Sequence, residues 1–402
     1  MEEWVIRITM IVQWIFFIYL GLSTFYFFLF AVVSILPYRI KGENRTVFHR
    51  FAVLIPGFKE DSVILEVIDE SLKQTYPKAK YDIIVIADSF QLKTLEAIRK
   101  RDVKLIEVSF DRSTKSKALN KALAVLPEDQ YDLAVVLDAD NIMEPQFLEK
   151  INQKFVPGRI AIQGHRVAKN SDTAFSVLDA ISEEINNNVF RKGHRKVGFS
   201  SALIGSAMAF RFSYFKQIME DVNAIGGFDK QLELKIIKNR DLIEYHPNAF
   251  VLDEKIQNSK AFSNQRKRWI SAQLYYFRKD FLISFWHFIS KGNLDYFNKA
   301  FQFIQPPRIM MLGMLVIINF FSLLFNPQLF KILWGTALLM SITGFFASTP
   351  LKFYTAKTFS AILHLPYGFF LMLKSTLFHS EAKKKFIHTE HSSNINKKEE
   401  SS

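Results

Sequence analysis

Two aspartates separated by a single residue, Asp138-Ala139-Asp140, follow directly on the apolar run Leu133–Leu137. Residues two apart along an extended chain point the same way, so a strand ending here presents both carboxylates to one ligand. Hard oxygen donors of this kind suit Mg²⁺ or Mn²⁺ on a diphosphate, the phosphates completing the coordination. A plain turn after a strand is the competing reading, because Asp and Asn are common loop residues. Asp88 closes a second apolar run, Ile84–Ala87, and lies on the same predicted sheet edge, where it can accept hydrogen bonds from a base or ribose; a turn or helix-cap role is the alternative. Lys115-Ser116-Lys117-Ala118-Leu119-Asn120 opens a helical stretch with two cations, suited to phosphate or to simple solvation.

Further along, Gly226-Gly227-Phe228-Asp229 sets a carboxylate just after a flexible turn, where it can take a proton from an acceptor hydroxyl. Asn264-Gln265-Arg266-Lys267-Arg268-Trp269 combines guanidinium groups for diphosphate oxygens with an indole for a sugar face. A basic juxtamembrane helix anchored by Trp fits the same residues.

The elements that must hold these groups alternate. Phe51–Pro56, Asp82–Asp88, Val103–Val108, Leu133–Leu137 and Ile160–Gln163 read as buried strands, with helical spacing over Val63–Gln74, Leu92–Arg101 and Ser116–Val125. That order predicts an α/β fold with a mostly parallel sheet and its ligands at the carboxyl ends of the strands.

The ends of the chain differ in character. No charged residue occurs from Ile8 to Tyr38, longer than the roughly 20 residues a helix needs to cross a bilayer. Arg39, Lys41, Arg45 and Arg50 follow at once, which places the next domain in the cytoplasm. Near the other end, Ile309–Phe330 and Ile332–Leu351 are spanning stretches. Thr358–Leu373, with His364 and Pro366, reads as short, kinked or re-entrant. Phe281–Ile289 reads as a short helix lying in the interface, and His388–Ser402 as a polar, disordered tail. The expected division is an anchor over 1–40, a cytoplasmic catalytic domain over 41–280, interfacial helices over 281–308, membrane segments over 309–375 and a tail over 376–402. The net charge of +13 suits an anionic bilayer surface or a phosphorylated substrate; with these flanks, nucleic acid is not expected as a partner. The absence of cysteine excludes disulfides, thiolate metal sites and cysteine nucleophiles.

In this order the motifs resemble the processive-type branch of glycosyltransferase family two, which includes cellulose, chitin and hyaluronan synthases and lipid-linked sugar transferases. The similarity runs from about Phe51 to Trp269. Leu54-Ile55-Pro56-Gly57-Phe58-Lys59-Glu60 looks like the family's opening strand and loop, which puts Pro56 and Glu60 beside the donor. Lys115–Asn120 is similar to its Lys-Gly-x-Ala-Leu-Asn element, with Ser116 in place of glycine. The resemblance implies a GT-A type domain in which Asp88, Lys115 and Asp138 contact the nucleotide-sugar and Asp140 the metal, Mg²⁺ or Mn²⁺. Gln265, Arg268 and Trp269 match a Gln-x-x-Arg-Trp motif on the diphosphate and acceptor side of the pocket. Gly205–Arg211 looks like the segment beneath the acceptor. Phe228–Leu232 is similar to Glu-Asp-Arg-x-Leu, which makes Asp229 the implied base and Glu233 the reserve; Phe228 stands where an acidic residue is usual.

The implied activity is inverting, metal-dependent transfer of a sugar from a nucleoside-diphosphate sugar, a UDP-sugar by family habit, to a glycan or lipid-linked acceptor. The implied setting is multi-pass in a bacterial inner membrane, with partner membrane proteins as possible companions. A glycan hydrolase with two carboxylates, and a catalytically inactive subunit of a polysaccharide synthase, are the alternatives.

Overall fold

The structure is a computed structural model that describes residues 2–42, 47–224, 226–255 and 259–377. Arg45 and the tail over 388–402 lie outside the described residues. The chain opens with a long helix, α1 (Glu2–Val33), and then alternates: β1 (Phe51–Phe58), α2 (Ile64–Ser71), β2 (Tyr81–Asp88), α3 (Leu92–Arg99), β3 (Lys104–Val108), α4 (Lys115–Val125), β4 (Leu133–Val136). β1, β2 and β4 are runs of mostly β-branched and aliphatic residues buried almost throughout, as expected for strands covered on both faces, whereas β3, expected as a buried strand, lies at the edge of the sheet and is only partly buried. There follow β5 (Ile142–Met143), α5 (Phe147–Lys154), β6 (Ala161–Ala168), α6 (Ala174–Asn186), a π-helical segment (Asn187–Gly193), α7 (His194–Lys196), β7 (Met208–Arg211), α8 (Phe212–Met219), α9 (Phe228–Lys238) and β8 (Ile243–Asp253).

The strands form one sheet in the order β3-β2-β1-β4-β7-β6-β8-β5. Pairs β1/β2, β1/β4, β2/β3 and β6/β8 are parallel, while β7 runs antiparallel between β4 and β6, and β5 antiparallel to β8. This is a GT-A-like α/β fold. One core packs α4, α8 and α9 on one face of the sheet; a second packs α2, α3 and α5 on the other. The sequence reading lacks β5, β7 and β8. In β8, Pro247 and Asn248 interrupt the apolar pattern, and the β6/β8 register jumps there from Gln163/Tyr245 to His165/Phe250.

Beyond the sheet, α10 (Ser259–Lys291) and α11 (Leu294–Gln302) lead to α12 (Arg308–Phe325), α13 (Gln328–Ser348), α14 (Ala356–Ile362) and α15 (Leu365–Leu377). Phe281–Ile289 is not a separate short helix but the last part of α10. The shift in composition at 281 carries no helix breaker; the stop comes at Gly292, whose φ of 65° belongs to the left-handed region. Among the described residues, three helices are long and apolar enough to cross a membrane, over Arg7–Val33, Arg308–Phe325 and Gln328–Ser348. The α14–α15 pair is bent by 47° at the break near His364 and Pro366, which is either a broken span or a re-entrant loop.

The helical bundle and the sheet are bound together. Leu20, Phe27 and Phe30 of α1 share a cluster with Trp334 of α13, Leu315 of α12, and Ile185 and Val189 beside the sheet. Buried Glu184 on α6 accepts from Lys352, just beyond α13, at 2.6 Å and faces His165 of β6 at 2.9 Å. Burial opposes ionisation of Glu184, yet His165 and Lys352 outweigh it and hold its pKa down at about 2, against 4.5 for a free side chain. A depressed carboxylate stabilises the fold fully above its unfolded pKa and loses that contribution as pH falls through the folded value. Acid unfolding of the purified chain is therefore expected to steepen between pH 4.5 and about 2, and Glu184→Gln to flatten that window; circular dichroism against pH reads both.

Candidate active site

The strand tips deliver their side chains to one cavity of about 1750 Å³, which takes in the ends of β1, β2 and β4, the start of α4, the first turn of α9 and the N-terminal part of α10. Pro56 and Glu60, Asp88, Lys115, Asp138 and Asp140, Gly205, Asp229, and Gln265, Arg268 and Trp269 all line it. These residues, far apart in the chain, face a common space.

At the strand end, Lys115 of α4 is in close contact with the Asp138 carboxylate and also donates to the Gly205 carbonyl at 2.7 Å. Lys115 reaches Asp138 because Thr114 caps α4, accepting from the Lys117 amide, and so starts the helix against the tip of β4. The Asp138 amide donates to Ser206 Oγ at 3.0 Å, and Ser206 in turn donates to Asn141 Oδ1 at 2.5 Å. Asn141, fully buried, donates to Asp140 Oδ1 at 3.0 Å and to Asp253 Oδ1 at 2.9 Å. The aspartate pair is therefore held by a polar network, more than a plain turn requires. Asp88 is buried at the tip of β2 and accepts from Ser89 Oγ at 2.9 Å. Lys59 and Ser89, the residues after β1 and β2, both have positive φ, at 56° and 59°. Such strain concentrates at functional sites.

Beneath the aspartates lies a network with no local signature in the sequence. Arg166 of β6, 8% exposed, lies 3.0 Å from Glu183, 3.5 Å from Asp253 and 4.0 Å from Asp138. Glu183 also pairs with Arg191 at 3.2 Å, and Lys255 with Asp253 at 2.6 Å. Burial opposes the Glu183 charge, but Arg166, Lys255 and Arg191 overcome it and keep its pKa well below the usual carboxylate range. These residues are scattered from 138 to 255, so only the fold could reveal them.

On the opposite wall, Asp229 sits in the first turn of α9, where the helix N-terminus favours a negative charge. Gly227 precedes it at φ 67°, and a Cβ there would lie 3.2 Å from Ala272 of α10. Gly205, at φ 84°, faces the same turn; its Cβ would come 4.0 Å from that of Asp229 and 3.6 Å from the Phe228 ring. Phe228 lies under the Lys115 ammonium at 5.3 Å, so an aromatic face meets that cation here. Glu233, one turn along α9, is 1% exposed and ion-paired with Lys299 of α11 at 2.6 Å, and it accepts from the Leu203 amide. Burial pushes its pKa up and Lys299 offsets this only in part. Its oxygens are occupied by structural partners, whereas among the described residues Asp229 is ion-paired only loosely, with Lys230 at 3.8 Å. Lys299→Met strands a charge in the interior and is expected to destabilise the chain by about 3 kcal/mol, read as a lowered melting temperature in detergent.

In α10, Gln265, Arg268 and Trp269 line the cavity, and burial lowers the Arg268 pKa. Arg266, offered by the sequence with Arg268 as a guanidinium for diphosphate oxygens, pairs with Asp179 of α6 at 2.7 Å and covers the Trp269 ring at 4.4 Å.

Among the described residues no group of three or more His, Asp or Glu is arranged to hold a metal by itself. Asp140 with Asp138 offers few, hard oxygen donors. Such a set fits Mg²⁺ or Mn²⁺, which takes its other ligands from phosphate and water, and does not fit a thiolate- or imidazole-bound metal.

A family profile described as Glycosyltransferase like family 2 matches residues 49–272. A probable glycosyltransferase, YdaM, of Bacillus subtilis (strain 168) is 25% identical over 249 residues, which cover 58% of this chain and 57% of that protein. The chain thus spans just over half the length of that relative. A solved structure of the mannosyltransferase PcManGT from Pyrobaculum calidifontis, in complex with GDP-Man and Mn²⁺, superposes with a TM-score of 0.52 at 17% identity, covering 82% of this chain and 93% of that one. This likeness is one of fold.

Proposed function

This chain belongs to the glycosyltransferase-like family 2, and from that premise we propose that it is a glycosyltransferase that transfers a sugar, with inversion, from a nucleoside-diphosphate sugar to a glycan or lipid-linked acceptor at a membrane surface. The observation that carries the proposal is the convergence of Asp88, Asp138 and Asp140 with Asp229, Arg268 and Trp269 on one cavity. Asp88 takes the base or ribose, and Lys115 and Arg268 face the diphosphate. A Mg²⁺ or Mn²⁺ ion held by Asp140 would offset charge on the leaving diphosphate. The Mn²⁺ in the PcManGT complex supports a divalent ion, and the GDP-Man there keeps the donor base open beside the UDP-sugar expected from the family resemblance.

Across the cavity, Asp229 accepts the proton of the acceptor hydroxyl as its oxygen attacks the anomeric carbon from the face opposite the diphosphate. The new carbon–oxygen bond forms as the bond to phosphate breaks, and the diphosphate leaves with the electron pair. One displacement inverts the carbon, so no second carboxylate is required as a nucleophile. Glu233, already paired with Lys299, positions α9 and takes no proton. Trp269, backed by Arg266, presents its indole to the acceptor sugar, with Gln265 beside it.

The spanning helices support a multi-pass setting in a bacterial inner membrane with the sheet domain on the cytoplasmic side. Nucleoside diphosphate release from purified full-length protein, over a panel of UDP- and GDP-sugars with and without Mn²⁺, tests the proposal. Metal-stimulated release from at least one donor is expected. Donor binding without turnover would instead indicate an inactive synthase subunit, and sugar release from a glycan without nucleotide a hydrolase.

A further inference from the structure

The cavity that holds the carboxylates does not end at the sheet domain. It continues past Arg308 into a groove among the apolar helices, lined by Val316 of α12, Phe346 of α13, Phe359 of α14 and Phe370 of α15. Each of these side chains is also more than half exposed on the outer surface, so the groove opens sideways, where a lipid would lie. The reason is in the helix packing. α12 packs extensively on both α13 and α15, whereas among the described residues no comparably extensive packing joins α13 to α14 or α15, which leaves a cleft with α12 as its floor.

At the junction of groove and cavity the polar groups are unbalanced. Arg308 begins α12, donates to Ser182 and to Asn186 Oδ1 at 2.8 Å, and feels the positive charges of Arg266 and Arg191. The nearby carboxylates are engaged elsewhere, Asp179 by Arg266, and Glu183 by Arg166 and Arg191. Among the described residues Arg308 has no ion pair. Three buried donor atoms lining this junction have no acceptor there: Arg308 Nη1, Gln305 Nε2 and Arg266 Nε. A buried donor without an acceptor is costly, and three in one cavity around surplus positive charge call for an anion.

Resting on the transferase reading above, we propose that the acceptor is a phosphate-bearing glycolipid: its tail lies in the groove between α13 and α14–α15, its phosphate is held by Arg308 and its neighbours, and its sugar hydroxyl reaches Asp229. Tail, phosphate and sugar thus match three successive linings of one cavity, apolar, cationic and carboxylate. The transferred sugar leaves its donor diphosphate and forms a new bond to that hydroxyl oxygen, whose proton passes to Asp229; the lipid phosphate is bound throughout and exchanges no atoms.

The test uses full-length protein in neutral-lipid nanodiscs and a photoreactive alkyl phosphate, compared with the alcohol of the same tail. Labelling is expected to map to α12–α15 and to be about tenfold stronger for the phosphate, the worth of one charge-assisted contact. Excess inorganic phosphate should not displace the label. Arg308→Gln should bring the phosphate down to the level of the alcohol, and Arg308→Lys should keep the preference. Val316→Trp, remote from the charged cluster, should reduce labelling by both lipids. Equal labelling by phosphate and alcohol, displacement by inorganic phosphate, or crosslinks outside the groove would each overturn the proposal. Nucleotide-sugar binding on the same samples separates the two failures: binding and turnover without groove labelling removes the lipid acceptor and leaves the transferase, whereas absence of donor binding strikes the transferase reading itself.

Discussion

Asp140→Asn is expected to abolish metal-stimulated nucleoside diphosphate release, with kcat lowered by about a thousandfold, the scale set by losing a major electrostatic stabiliser of the leaving group. The change is nearly isosteric, and an amide oxygen can still accept from Asn141, so the strand end should keep its shape. What disappears is the negative charge that a hard cation requires. The nearby carboxylates already balance cations, Asp138 with Lys115 and Asp253 with Lys255 and Arg166, and among the described residues no other group of three or more His, Asp or Glu is placed to hold the ion. Mn²⁺ binding followed by electron paramagnetic resonance should weaken in parallel, while the melting temperature without metal stays near that of the parent. Undiminished turnover in this variant would remove Asp140 from the metal site.

Asp229→Asn is expected to separate binding from chemistry. A general base contributes about 10²- to 10⁴-fold, so kcat should drop by that order while the nucleotide-sugar still binds, because Asp88, Lys115 and Arg268 on the donor side are untouched. The acidic limb of the pH–rate profile, which reports protonation of the base, should vanish. Glu233→Gln provides the contrast. It breaks the buried pair with Lys299 and should cost stability first, leaving the shape of the pH profile in place. If Glu233→Gln removed the acidic limb and Asp229→Asn did not, the two roles would have to be exchanged.

Much of the site was legible because it is built from strand tips. An apolar run that ends in Asp88 or in Asp138-Ala139-Asp140 announces both the strand and the place where its side chains emerge, and a sheet gathers such ends along one edge. The helix start at Lys115 and the Gln265, Arg268 and Trp269 set were equally visible, since short spacings survive in sequence. Long uncharged stretches identified the helices long and apolar enough to cross a membrane for the same reason: hydrocarbon thickness sets a length that can be counted.

Tertiary structure alone decided the rest. Arg166, Glu183, Asp253 and Lys255 form one buried network although nothing in their spacing links them. Lys299 claims Glu233 from a different helix, which is what distinguishes two carboxylates one turn apart on α9. Arg266, offered locally with Arg268 as a guanidinium for diphosphate oxygens, is paired with Asp179 and lies over Trp269, partners its spacing does not announce. The cleft between α13 and α15 arises because both pack mainly on α12 and not on each other. Local spacing determines which groups a segment can offer; which of them stay free for a ligand depends on partners supplied from elsewhere, because a buried charge must be neutralised by whatever the folded chain brings beside it.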